Sequence, residues 1–338
     1  GRIALELTDP TAAFADYEGT VTARGGAHTN KTLKSYVDYS GAGTVLYRTA
    51  ADTAPDAGLL VVDNGANAVW ATTCPTMISG AVTDHTVRNV KVANGAWLSV
   101  ARGETLTVTG DLDNRSANIS PIGEQADATT AGGTIAFADA ARESRVTGTN
   151  VFTSLSVTTP GKTVKFGTAA DLSLASIAEK GQITVTGGGE DDKVHLRSVE
   201  DGVLWPFQLQ KGASAAIKYA DVKDSDARSG LLVVADDTNE DLRNNKNWAF
   251  LRIRPGDPIV WQGLASDDWT DPYNWDPTRA PVDTDVVVIP EGKANMPALS
   301  AAVTLNTLEV QSGAQLALAG YYLDVTNRLT VAGSLVCS

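Results

Sequence analysis

The sequence predicts an all-β protein: a right-handed parallel β-helix in tandem modules, with an array of β-sandwiches as the alternative. Three observations carry this. Apolar residues alternate strictly in one segment after another. Short gaps rich in Gly, Asn, Asp and Ser separate the segments. The chain also echoes itself over long range. Period-two alternation marks a half-buried strand, and self-similarity at long period marks a stacked array.

Residues 1–57 carry no clear pattern, although SYVDYSG (35–41) resembles KYADVKDSD (218–226). Alternation then recurs in LTVTG (106–110), FTSLSV (152–157), KTVKF (162–166), DLSLASI (171–177), QITVTG (182–187), KVHLRS (193–198) and VTLNTLEV (303–310). The gaps between strands read TPGK, AEKG, GGGEDD and QSGA. Strands about ten residues apart suit either a sandwich or a solenoid. The solenoid is preferred because SGA-type turns lead into LxLxG and then LxVxG, as successive coils would. Ala93-Asn94-Gly95-Ala96 is the main hairpin candidate. Residues 121–133 and 236–247 read as surface excursions, and no segment carries a sustained 3.6-residue apolar stripe.

The first echo sets HTVRNVKVANGAWLSV (85–100) on VTLNTLEVQSGAQLAL (303–318). Val92 falls on Val310, Gly95 on Gly313 and Leu98 on Leu316, so these pairs are expected to occupy equivalent inward positions. The match resumes with LTVTGDL (106–112) on LDVTNRL (323–329). A second echo relates GLLVVDNGANAVWA (58–71) to GLLVVADDTNEDLRNNKNWAF (230–250). Pro255, Gly256 and Pro258 interrupt the pattern. The expected organisation is therefore 1–84 as the end of a preceding unit, 85–255 as a β-helix module, and 256–338 as the incomplete start of a second.

Composition narrows the function. The chain has 338 residues, 43% of them hydrophobic, enough for a large core. A formal net charge of −13 argues against nucleic acid or anionic lipid as partner. No signal peptide opens the sequence and no apolar run reaches transmembrane length, so no membrane insertion is expected in this segment. Cys74 and Cys337 are the only cysteines and read as unpaired thiols or a long-range disulfide. No CxxC or CxxH spacing supports a metal site.

The segment 261–320 resembles a module of large secreted bacterial surface proteins of adhesin or surface-layer type. The residues that carry the resemblance are Trp261, Gly263, Trp269, Asn274, Trp275, Pro281, Asp285, Val287, Ile289 and Pro290, followed by the SGAxLxLxG coil. The upstream stretch closing at Asn247-Trp248 resembles the end of the same module. The resemblance implies an extracellular β-solenoid and specifies no ligand. Trp261, Trp269 and Trp275 read either as plugs on a terminal coil, which blunt its open edge, or as a platform for surface polysaccharide. Trp70, Trp205 and Trp248 read as junction plugs.

Catalytic chemistry is not expected. No G-x-S-x-G, HExxH or P-loop occurs, and alternation turns His195 away from Val194 and Leu196, toward solvent. His28 and His85 carry no motif. Asp221, Asp224 and Asp226 place three hard oxygen ligands close together, a candidate Ca²⁺ site, against the reading as solvated turn acids. GGGEDDKV (187–194) departs from the calcium nonapeptide and occurs once. The expected role is a non-enzymatic extracellular structural or adhesive module whose partners are neighbouring repeats or copies of itself. Two alternatives remain: a carbohydrate-binding or carbohydrate-processing β-helix, and a self-assembling filament or sheath subunit docking through an end coil or RIALEL (2–7).

Overall fold

A computed structural model describes residues 1–25, 27–29, 37–39, 41–52, 58–65, 75–80, 85–116, 132–250, 258–277 and 279–337. Expectations that fall on Trp70, Cys74, most of the 121–133 excursion and the 251–257 part of the junction lie outside these residues. The chain is all-β, 48% strand and 3% helical, and the described residues form no closed barrel. It forms two compact units, Gly1–Leu231 and Leu232–Ser338. The sequence pattern puts the break near Pro255 instead.

In the first unit, alternation becomes parallel pairing. One ladder runs through Leu59–Asp63, Asn89–Ala93, Leu112–Arg115, the start of Ser144–Val157, Thr163–Phe166, Val194–Ser198 and Ala220–Val222. A second runs through Thr86–Val87, Thr105–Val108, Thr134–Phe137, the end of Ser144–Val157, the end of Leu174–Thr186 and Ser214–Lys218. The long strand Ser144–Val157 bends between ladders, with a register shift between Phe152 and Ser154. Successive partners lie roughly twenty to thirty residues apart in sequence. Parallel pairs need such crossovers, whereas sandwiches are built from antiparallel neighbours. Antiparallel pairing occurs at Thr44–Arg48 with Leu59–Asp63 and at Ala27–Thr29 with Val37–Tyr39.

Register aligns like residues into inward columns. Leu106, Ile135, Leu155 and Ile183 form one; Val164, Leu196 and Val222 form another; all are buried. Each such side chain contributes about 1.5–3 kcal/mol on leaving water. Trp205 is buried and stacks on Phe166 at 4.3 Å. Asn94 (φ 53°) and Gly95 (φ 73°) make the tight turn expected of Asn-Gly, but not a hairpin. The flanking strands pair with strands elsewhere in the chain, Asn89–Ala93 with Leu112–Arg115 and Leu98–Val100 with Thr76–Ile78. The turn therefore redirects the chain from one ladder to the next.

In the second unit, Pro258–Trp261, Val286–Ile289, Val303–Val310 and Leu323–Val331 pair in parallel, and Gln315–Ala317 pairs with Ser334–Val336. Ile259, Val287 and Leu308 form a fully buried column. Trp275–Asp276 returns antiparallel along Val260–Trp261 and covers the edge of that first strand. Trp248 stacks on Phe250 at 5.5 Å.

In the first echo Val92, Val310, Leu98 and Leu316 are all 0% exposed, but in its continuation Leu112 is 0% exposed and Leu329, on which it falls, is 50% exposed. The second echo loses phase. Val62 is 0% exposed, while Val234, on which it falls, is 50% exposed. A slip of one residue turns every side chain to the opposite face.

Candidate functional site

The tryptophan triad is interior. Trp261, Trp269 and Trp275 are 0–2% exposed. The Trp275 ring meets Trp261 and Trp269 edge-on, at 4.9 and 4.7 Å. Trp261 Nε1 donates to the Asn295 carbonyl at 2.7 Å, and Trp275 Nε1 to the Trp269 carbonyl at 2.8 Å. The sugar-platform expectation is thereby corrected. Large indoles bury fully once the N–H has a partner, and these leave no face for a ligand.

The other motif residues serve the same packing. Buried Asn274 accepts from the Ala265 and Ser266 amides and donates to the Asp268 carbonyl, fixing the loop that holds the indoles. Gly263 (φ 57°) has no room for a Cβ, which would lie 2.2 Å from the Asn295 carbonyl oxygen. Asp285 accepts from Arg279 at 2.8 Å and from the Val282 amide at 2.6 Å.

The three aspartates of the candidate calcium site are held apart by separate donors. Asp221 accepts from His195 Nδ1 at 2.8 Å and from Arg197. Burial pushes its carboxyl up, but the His195 hydrogen bond and the Arg197 charge outweigh this and hold it below the usual value. Asp224 is 1% exposed, has φ 61° and accepts from the Gly202 amide at 2.9 Å. Asp226 pairs with Arg228. Among the described residues no group of three or more His, Cys, Asp or Glu side chains converges as a metal site would require. Alternation within DVKDSD separates Asp221 from the other two, and the turn at Asp224 points it back toward Gly202.

His195 flanks two buried residues, Val194 and Leu196, as alternation requires, and its ring is 35% exposed. It sits in register between Thr163 and Asp221 on the outer face. With the Arg197 guanidinium donating to the Asp221 carbonyl at 2.9 Å, the group is a cross-strand clamp.

Two features escaped notice in the sequence. Lys162 is fully buried, and its ammonium donates to the carbonyls of Thr109, Asp139 and Arg142 at 3.3, 3.1 and 2.8 Å. Burial pushes its pKa down to about 8, against the opposing pull of Asp139 and Asp111. The signal was present in KTVKF, where alternation puts Lys162 on the side of Val164 and Phe166. The second feature is a cleft of about 750 Å³ lined by Asp113, Arg115, Ser116, Thr149, Asp171 and Leu172, among others. Its parts come from three separate segments of the chain, so no local motif announces it.

Residues 260–336 match a family described as a Domain of unknown function (DUF8693). No curated protein and no solved structure matches the chain. The matched segment contains the three indoles, Gly263, Asn274 and Asp285. No helix among the described residues is long and apolar enough to cross a membrane.

Proposed function

We propose that this chain is a stretch of a secreted bacterial surface protein, a right-handed parallel β-helix in tandem modules whose role is structural or adhesive. The observation that carries the reading is the in-register parallel ladder, in which successive coils place Leu106, Ile135, Leu155 and Ile183 over one another. Coils stacked in this way bind mainly their neighbours, build a stiff body and leave long outer faces for contact. The equal burial of Val92 and Val310 supports a repeated unit. The acidic surface suits exposure to solvent.

Protease treatment of intact producing cells tests this. Peptides from the chain should be released without lysis. Peptides that appear only after lysis would place the protein inside the cell and sink the proposal.

A further inference from the structure

We propose that the cleft beside Leu112–Arg115 binds a neutral oligosaccharide, with Asp113, Arg115 and Asp171 holding hydroxyl groups and Leu172 covering the apolar face of a sugar ring.

The floor is built rigidly. Asn114 is 2% exposed and donates to the Thr149 carbonyl at 2.6 Å, and Gly148 follows it in register. A Cβ at Gly148 would lie 1.7 Å from the Asn114 carbonyl oxygen. The wall is the turn Ala169–Asp171, which ends on Leu172. Leu172 takes the left-handed conformation (φ 57°, ψ 30°), is 81% exposed, and its carbonyl accepts from Thr149 Oγ1 at 3.0 Å. A leucine in that backbone region costs about 1–2 kcal/mol, and burial does not offset it. A contact with a ligand gives that exposed side chain a use.

The polar groups around it have spare capacity. Asp113 accepts from Arg115 Nε and from Thr147 Oγ1. That leaves the terminal amino groups of Arg115 without a partner among the described residues, on a side chain 74% exposed. One Asp171 oxygen accepts weakly from the Thr168 amide at 3.4 Å. Ser116 Oγ lines the cleft, buried and without a hydrogen-bond partner, a state that normally requires an explanation.

The ligand class follows by elimination. Two carboxylates and one guanidinium, on a chain of net charge −13, repel an anionic glycan. A bound metal ion lacks its set of ligands among the described residues. A peptide docking by strand addition needs a free edge, but Leu112–Arg115 and the start of Ser144–Val157 are each paired on both sides. A sugar matches what remains: hydroxyls that both donate and accept, and one C–H face. The volume falls within the range of small-molecule sites, about 300–1,000 Å³.

The test is saturation-transfer NMR on the whole chain with maltotetraose, cellotetraose, mannotetraose and chitotetraose, followed by titration calorimetry of any that bind. At least one should bind, and Asp113→Ala and Leu172→Gly should each weaken it about tenfold or more. Glycine adopts the Leu172 backbone without strain, so Leu172→Gly should fold with an undiminished melting temperature. It keeps the proposal falsifiable if Asp113→Ala misfolds. No transfer from any of the four sugars, or equal binding by wild type and Leu172→Gly, overturns it. The binding experiment does not depend on where the protein resides, so its failure and that of the surface-protein reading are distinguishable.

Discussion

At the scale of single residues, the buried ammonium of Lys162 is the sharpest electrostatic feature. Its three carbonyl acceptors satisfy the donors, yet burial still disfavours the charge and lowers the pKa from 10.5 to about 8. Below about 8 both folded and unfolded chains carry the proton, and the folded state bears the full penalty. Between about 8 and 10.5 the unfolded lysine holds its proton more tightly, so stability should rise with pH across that window. The gain is bounded by about 3 kcal/mol. Urea midpoints at the two ends of the window, compared between wild type and Lys162→Met, would show it as a difference that the variant lacks. Asp221 has a dependence of the same sign in the acid range. Its depressed pKa stabilises the fold above the usual carboxylate value of 3.8, and that contribution is lost as pH falls through the folded value. Asp221→Asn should flatten the acid limb of the stability curve. Because Asp221, Asp224 and Asp226 already have separate donors, adding EGTA should leave the melting temperature unchanged. A downward shift would restore the calcium reading.

At the scale of elements, glycines divide by what surrounds them. Gly148 lies on a strand against Asn114, and Gly148→Ala should cost at least about 3 kcal/mol, since it adds a backbone clash to a positive φ. Gly103 has φ 82° and open space around it, so Gly103→Ala should cost only the conformational penalty of about 1–2 kcal/mol. Thermal denaturation of the two variants separates the contributions. The Trp261–Trp275 element behaves as core: Trp275→Ala should cost about 3–5 kcal/mol, and any loss of sugar binding should follow unfolding instead of preceding it. Alternation made the strands legible here, including the inward positions of Val164, Phe166, Val194 and Leu196. The Asn94-Gly95 turn was also legible as a turn. Its partners were not, because a two-residue turn sets the direction of the chain and long-range register chooses the neighbour.

At the scale of the whole molecule, parallel ladders pair the acids that stand out in the sequence with basic side chains nearby. Asp221 is bound to His195 and Arg197, and Asp226 to Arg228. The expected outcome is no turnover in hydrolase or lyase assays on common polysaccharides. Turnover abolished by a single Asp→Asn change would overturn this. The end strand of the second unit's five-stranded sheet, Leu323–Val331, carries the inward pattern of its neighbour but leaves Leu329 50% and Val331 41% exposed. A strand shows the same alternation whether or not another element covers it.

The linear order of residues by itself determined the all-β class, the alternating faces of the strands and the inward placement of Val92, Leu98, Val310 and Leu316. Each of these depends on the two-residue period of the strand, a local property. Tertiary structure alone decided that Trp261, Trp269 and Trp275 are interior, that Lys162 is held by three carbonyls, and that Asp113, Thr149 and Leu172 line one cleft. Those outcomes depend on which strand lies beside which, and the register between distant strands is set by the summed packing of many side chains, beyond what any short stretch encodes.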